Sequence, residues 1–265
     1  MTIHPSAIIE AGAELDPTVT VGPYAVIEAG VKLGAGCVVG PHVHLTGLTH
    51  VGPGNRFHSG CVIGDAPQDF RYQGIPTSLT IGARNVFREH VTIHRSNRPE
   101  ESTVIGDDNY FMAHCHVGHN CRLGNRVIMA NGVLLGGHVI LQDGAVISGN
   151  CLVHQFVRVG TLAMMQGGSA ISKDLAPYTM ARGDNGIAGL NTVGLRRAGI
   201  SAADRLELRR LYHRLFRSPL PLREAAQQAR SEFLSQAAAG LIGFILESKR
   251  GVCVERGRQV EEDAD

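Results

Sequence analysis

The chain has 265 residues, a formal net charge of +1 and 43% apolar residues. That length suits one large domain with a small appendage, and the near-neutral charge excludes a polyelectrolyte partner such as nucleic acid. No apolar run is long enough to span a bilayer. The N-terminus enters a repeat at once, so the expectation is a cytoplasmic chain with no signal peptide and no transmembrane segment.

Stepping forward in sixes from Ile3 lands on Ile9, Leu15, Val21, Ile27, Leu33, Val39, Leu45, Val51, Phe57 and Ile63. The register returns at Ile81, Phe87 and Ile93, then runs from Ile105 through Phe111, Val117 and Leu135 to Ile171. Only Asp69 and Pro99 interrupt it with residues that are not large and apolar. A period of six is neither helical nor a simple strand alternation; it is the signature of a hexapeptide β-helix. Each hexad makes a short strand and a corner, and three hexads make one triangular coil. Coils stack as parallel strands, about 4.8 Å apart. The register residue points inward, and so does the fifth position, where Ala7, Ala13, Val19, Ala25, Val31, Cys37, Val43 and Thr49 are small. Glycine often follows the register residue, as at Gly22, Gly34, Gly40, Gly118, Gly136 and Gly160, where it relieves crowding and permits positive φ at a bend. The spacing does not determine the handedness of the coil.

Around Asp69 and Pro99 the sequence is polar and irregular. Both stretches read as loops thrown out of the coil, near 69–80 and 95–104, and such insertions gather on one face, often the binding face. Ile75 keeps the register inside the first loop by coincidence. Of the six cysteines, Cys37, Cys61, Cys115, Cys121 and Cys151 all occupy the fifth position. They read as small buried hydrophobes rather than disulfides or metal ligands.

The register ends near Ala176, and Pro177 with Tyr178 marks the exit. The chain divides into a β-helical domain over 1–190 and a C-terminal helical domain over 191–265. Ser201 with Asp204 predicts a helix start, followed by Leu206, Leu208, Leu211, Tyr212, Leu215 and Phe216 at helical spacing. Pro221 opens a second helix through about Phe233. Ser235 caps a third, carrying Leu241, Ile242, Phe244, Ile245 and Leu246. The tail from Arg256 reads as frayed. Arg196, Arg197, Arg205, Arg209, Arg210, Arg214 and Arg217 crowd this region, either as a solvated face or as a docking surface for an acidic partner or phosphate.

Thirteen histidines are many for this length. His116, His119, His138 and His154 all avoid the inward positions. One coil beyond 119 is position 137, beside His138, and two coils beyond is 155, beside His154. The three are therefore expected on one ridge in successive coils. Imidazole suits general-base chemistry near neutral pH, and Gly136-Gly137 beside it lets a ligand approach closely. His-x-His-x-x-His also has the composition of a metal site. Outward histidines on a rigid coil would have to converge across a subunit boundary, which nothing in the spacing demands.

Several segments together resemble the UDP-N-acetylglucosamine O-acyltransferase family, which begins lipid A synthesis. They are Ile-Gly-Asp-Ala-Pro-Gln-Asp at 63–69, Val-Thr-Ile-His-Arg at 91–95 and His-Val-Gly-His-Asn-Cys at 116–121. To these are added Gly-Gly-His-Val at 136–139, Val-His-Gln-Phe at 153–156 and Gly-Leu-Asn-Thr-Val-Gly-Leu-Arg-Arg at 189–197. The resemblance implies a mainly β fold, a left-handed parallel β-helix with a small C-terminal α-helical domain, assembled as a homotrimer with active sites between subunits. It implies an acyl carrier protein thioester as donor, usually of a 3-hydroxyacyl chain, and UDP-N-acetylglucosamine as acceptor, with no cofactor and no metal. His119 falls on the family's general base, which deprotonates the glucosamine 3-hydroxyl. The Gly137 N–H would meet the oxyanion. Gln68 and Asp69 would hold the sugar from the neighbouring subunit, with Arg71 beside them. His116, His138 and His154 would contact or position substrate, and Gln155, Asn191 and Arg197 would reach the nucleotide. Gly167 falls where the family sets acyl length, and glycine leaves that groove open. The arginine-rich helices would receive the carrier protein. The chain departs from the family pattern at Asn120, where Asp commonly follows the base, and at Val193 and Ala198. Asparagine can fix a histidine tautomer, but it does not stabilise imidazolium as a carboxylate does.

Three other readings compete. The N-acyltransferase that acts later in the same pathway adds a large N-terminal uridine-binding domain, whereas here the repeat starts at Ile3. A β-helical zinc enzyme of the gamma carbonic anhydrase type would not explain the Gly-Asp-Ala-Pro-Gln-Asp loop. A non-catalytic scaffold leaves the histidine ridge unexplained.

Overall fold

A computed structural model describes residues 1–255 of the chain; the tail from Arg256, expected to fray, lies outside the described residues. Short strands, most of them two residues long, form three sheets of twelve, nine and eight strands. Through Ala170–Ile171, consecutive strands fall in different sheets and each pairs in parallel with the strand one coil away, as Thr2 with Thr20 and Lys32 with His50. In both pairs the partners are three hexads apart, as the repeat requires. The last three strands share the twelve-stranded sheet, where Thr179–Ala181 pairs antiparallel with Gly186–Leu190.

The register and fifth positions fill the interior. Phe57, Phe87 and Phe111 stack there, with ring centroids 4.9 Å apart at each step and interplanar angles of 5° and 10°. That separation is the strand spacing itself, so each coil places its ring directly over the last. All five fifth-position cysteines are free and fully buried. The fifth position also takes asparagine, at Asn55, Asn85 and Asn109. Each Oδ1 accepts a backbone N–H from the next coil: Asn85, Asn109 and Val127, at 2.9, 2.9 and 2.7 Å. A buried polar side chain is tolerated because it satisfies a buried backbone donor. Ile3, which heads the register, is 37% exposed because no coil lies below it.

The glycine expectation divides into two parts. Positive φ belongs to the fourth position, often on non-glycine residues such as His90, Asn120, His138 and Phe156. The glycines after the register residue serve contact instead: a Cβ on Gly40 would stand 2.7 Å from the Phe57 carbonyl oxygen, and one on Gly118 would stand 2.8 Å from Gly136. Coils at strand spacing leave no room there for a side chain.

The two loops are shorter than expected. Strands resume at Ser78–Ile81 and Ser102–Ile105, with Leu79 and Thr103 fully buried. Their serines and threonines look loop-like, but they alternate outward and inward as a strand requires. Leu48 pairs with Ser78 and Ser78 with Ser102, so these two coils span five and four hexads (78 − 48 and 102 − 78) instead of three. The first insertion is therefore two hexads long and the second one hexad. Whole hexads keep the phase, so the register resumes after each loop although neither contains a coil unit. Ile75, in phase inside the first loop, is 39% exposed.

After the strand Gly186–Leu190 come four helices: α1 (Thr192–Arg197), α2 (Ala202–Phe216), α3 (Leu222–Ala229) and α4 (Gln236–Leu246). Ser201 and Ser235 cap α2 and α4, accepting from the Asp204 and Ala238 N–H groups. Leu206 does not join the core; it is 51% exposed on the outer face of α2. The second helix stops at Ala229 rather than near Phe233. Glu207 accepts from the Leu234 N–H there, drawing the chain into the turn that precedes α4. Val254–Glu255 then pairs with Gly186–Leu190. Among the described residues no helix is long and apolar enough to cross a membrane.

Candidate active site

The two loops leave the nine-stranded sheet after Val62–Asp65 and Thr92–His94. The next strands of that sheet, His116–Val117, Leu134–Leu135 and Leu152–Val153, are followed at the same corner by His119, Gly137 and Gln155. Sequence-distant segments thus meet on consecutive coils. The loops brace each other: Asn97 Nδ2 donates to Asp69 Oδ2 at 2.8 Å, and Arg95 Nη1 donates to the Gly64 carbonyl at 2.7 Å. Beside them lies a groove of about 710 Å³. Gln68, His116, His119, Gly137, His154 and Gln155 all line it.

His119 is held by Asn120, which sits in the left-handed region at φ 58°, a conformation asparagine tolerates. The Asn97 N–H donates to Asn120 Oδ1 at 3.0 Å, and Asn120 Nδ2 donates to Glu101 Oε2 at 2.6 Å and Ser96 Oγ at 2.8 Å. A backbone N–H only donates and a carboxylate only accepts, so the amide has one orientation. Its Oδ1 therefore faces His119 Nδ1 at 2.7 Å, and Nδ1 carries the proton. The lone pair remains on Nε2, beside Gly137. A Cβ at 137 would stand 2.7 Å from that nitrogen, so glycine makes the space the imidazole occupies. Among the described residues nothing accepts the Gly137 N–H.

Burial sets the charges around this base. It pushes His116 down to about 4, and it lowers His94 and His138 as well. These three imidazoles are neutral at neutral pH. Glu101 is held below the usual carboxylate range, first by the Asn120 amide, and Asp69 first by the Arg71 backbone N–H.

The expected histidine ridge needs correction. The His138 ring meets His119 edge-on at 5.2 Å, but its other face stacks on Phe156, at 4.6 Å and 16°. One coil beyond 138 is 156, not 154, and Phe156 shares the left-handed corner conformation of His138 while His154 does not. His154 instead lies at the groove mouth, with Arg250 Nη2 3.3 Å from its Nδ1.

Some expected residues lie apart from the groove within one chain. Gln68 already shares it with His119, where the resemblance implied a contact from a neighbouring subunit. Asp69 is not among the groove-lining residues and instead accepts from Asn97 Nδ2, and Arg71 is 92% exposed at the side chain. Asn191 is buried and occupied: its Oδ1 caps α1 at Gly194, and its Nδ2 donates to the Leu162 carbonyl at 2.9 Å. Arg197 is exposed in the last turn of α1, and Val193 and Ala198 are also exposed. Gly167 is exposed on a different corner, after the strand Met164–Met165.

Sequence reasoning missed His94, Ser96, Asn97 and Glu101. His94 lines the groove and meets the His116 ring edge-on at 4.9 Å, with Nδ1 buried and, among the described residues, without a hydrogen-bond partner. Glu101 lies one coil before His119, so the 18-residue spacing, taken backward from the base, points to it. Among the described residues no three His, Cys, Asp or Glu side chains converge to hold a metal ion.

The chain as a whole is similar to known proteins. The model for "Udp N-acetylglucosamine O-acyltransferase; Domain 2" matches residues 174–253, and that for bacterial transferase hexapeptide repeats matches 12–47 and 102–137. The chain is similar to an acyl-[acyl-carrier-protein]–UDP-N-acetylglucosamine O-acyltransferase of Agrobacterium fabrum, 41% identical over 92% of this chain and 91% of the relative. A protein of the same description from Verminephrobacter eiseniae is 45% identical, covering 94% of this chain and 98% of the relative. Among solved structures, UDP-N-acetylglucosamine acyltransferase from Campylobacter jejuni superposes with a TM-score of 0.90 at 37% identity, over 96% of this chain and all of that one (100%).

Proposed function

Because this chain belongs to the UDP-N-acetylglucosamine O-acyltransferase family, we propose that the His119 groove is where its acyl transfer takes place. The enzyme moves an acyl chain from acyl carrier protein to UDP-N-acetylglucosamine, the first step of lipid A biosynthesis. The observation that carries the assignment of the base is the Asn120 lock, which leaves the His119 Nε2 lone pair free beside an N–H without an acceptor.

In this reading Nε2 takes the proton of the glucosamine 3-hydroxyl as its oxygen attacks the thioester carbonyl. Negative charge collects on the carbonyl oxygen and is met by the Gly137 N–H. The C–S bond then breaks, and His119 returns the proton to the departing thiolate. Neutral His116 and His94 line the floor without competing for that proton. Gln68, His154 and Gln155 hold the acceptor, with Asp69 and Arg71 at its edge.

The coil is left-handed and the enzyme a homotrimer, with the coil over 1–190 and the helical region over 191–265 as its two domains. The distance of Gly167, Asn191 and Arg197 from the groove within one chain supports a cleft completed by a second copy. So do the exposed outward side chains of Ile128, Leu134 and Leu152, at 38, 45 and 49%. Arg196, Arg197, Arg209 and Arg210 are exposed and form the cationic surface for the carrier protein.

His119→Ala tests the base. Transfer assayed with UDP-N-acetylglucosamine and a 3-hydroxyacyl carrier protein should fall by roughly 10²–10⁴-fold, with thermal unfolding and oligomeric state unchanged. Substantial activity in the variant would remove His119 from this role.

A further inference from the structure

We propose that Glu101, acting through the Asn120 amide, is a positioning residue that supplies His119 with the negative charge its immediate neighbour lacks. This rests on the acyl-transfer reading of the groove. Asn120 accepts from His119 Nδ1 but carries no charge. Its Nδ2, on the far side of the same amide, donates to Glu101 Oε2 at 2.6 Å. The three groups form one chain of hydrogen bonds, from imidazole to amide to carboxylate, and charge at the far end polarises the whole chain.

The fold explains how Glu101 reaches this place. It closes the second loop one coil before His119, immediately before the strand Ser102–Ile105. Asn120 is anchored there from several sides: by Thr103 Oγ1, accepting from its backbone N–H at 2.8 Å, and by Ser96 and Asn97. At 5% exposure its amide is shielded from water, so loss of the carboxylate would leave a buried donor unsatisfied. The other charged or titratable groups facing the relay are Arg98, His138, Asp69, His94 and His116. Arg98 pairs with Glu101 at 3.3 Å, the two side chains being 57% and 33% exposed, so solvent weakens the pair, while Glu101 Oε2 stays bonded to the buried Asn120 amide.

Asn120 and Glu101 are therefore a matched pair. An aspartate at 120 would place a second carboxylate at 2.6 Å from Glu101 Oε2, and two carboxylates that close cannot both ionise. Adding Glu101→Gln removes that conflict: the glutamine amide N–H would donate to the new aspartate, as would the Asn97 and His119 N–H groups.

The test is a cycle of Glu101→Gln, Asn120→Asp and the double variant, read by kcat, KM and the pH profile of kcat/KM. Glu101→Gln keeps an acceptor for Asn120 Nδ2 and removes only the charge. It should lower kcat roughly tenfold with KM for UDP-N-acetylglucosamine little changed, and move the acid limb of the profile to lower pH. Asn120→Asp alone should be impaired more strongly, and the double variant should recover most of wild-type kcat. Thermal unfolding of each variant separates a folding defect from a catalytic one, and Glu101→Gln alone decides the question if Asn120→Asp does not fold. A wild-type kcat and pH profile in Glu101→Gln overturns the proposal, as does an Asn120→Asp effect that is the same in the single and the double variant. Activity retained by His119→Ala would instead overturn the reading of the base beneath it.

Discussion

His116 shows what burial does to a single residue here. Its pKa is pushed down to about 4, first by loss of water and then by the neighbouring His94 and His119. Its Nδ1 lies 2.8 Å from Thr92 Oγ1. In the unfolded chain the same imidazole titrates near 6.5. Between these values the unfolded state binds more protons, so stability is complete above about pH 6.5 and falls as pH drops toward 4. The full loss from this residue is on the order of 3 kcal/mol. Chemical unfolding of the wild type and His116→Gln at pH 7 and pH 4.5 should show a shallower loss in the variant; equal losses would reject the assignment. The hexad pattern could show that these histidines avoid the inward positions. It could not show that two inserted loops and a second histidine would bury one of them.

At the scale of the repeating element, the hexad set the strands, the interior rows and the small fifth position. Its phase survived both loops only because each is a whole number of hexads long, so phase alone did not show which residues had left the coil. Corner geometry was less legible. The left-handed turn falls on whatever stands at the fourth position, including His138 and Phe156, while glycine at the second position answers to contact between coils. Gly167 shows the consequence for function. Its φ lies outside the left-handed region, and an added Cβ would meet only the Gly149 carbonyl oxygen, at 3.4 Å, and Ser148 Cβ, at 4.0 Å. A long side chain is therefore accommodated outward at little cost in folding. With a ladder of acyl carrier protein thioesters, Gly167→Met should shift preference to shorter chains, by about tenfold or more in kcat/KM for the longest good substrate, an order set by losing several buried methylenes. An unchanged chain profile would separate Gly167 from the acyl groove.

For the whole molecule, Arg158 and Asp174, paired within the coil, tie it to the helices. The Arg158 backbone N–H and Nε donate to the two oxygens of Asp174, at 2.8 and 3.0 Å. Its Nη2 donates to the Phe244 carbonyl at 2.9 Å, and the guanidinium lies 4.3 Å from the centroid of the Phe244 ring. Asp174 is 1% exposed and also accepts from Ser248 Oγ at 2.9 Å. Arg158→Met keeps the apolar stem but removes the guanidinium and strands a buried carboxylate, which costs roughly 3–5 kcal/mol. For a chain of this size that lowers Tm by about 6–15 °C, readable by calorimetry; an unchanged Tm would show that the helices are held mainly by their apolar contacts.

The sequence by itself determined the coil, its interior rows, the helix starts at Ser201 and Ser235, and the two places where the chain leaves the repeat. These are local properties: a strand's inward position needs an apolar side chain, and a helix start needs a capping oxygen. The tertiary structure alone decided which distant residues meet. The two loops share a corner with His119 because insertions of two hexads and one hexad leave consecutive coils at the same edge. Phe156 rather than His154 completes the column above His138, because face is set residue by residue. Glu101 stands behind Asn120 because the coil returns the chain to the same corner after every third hexad, and only that return brings a charge from one loop to the base on the next coil.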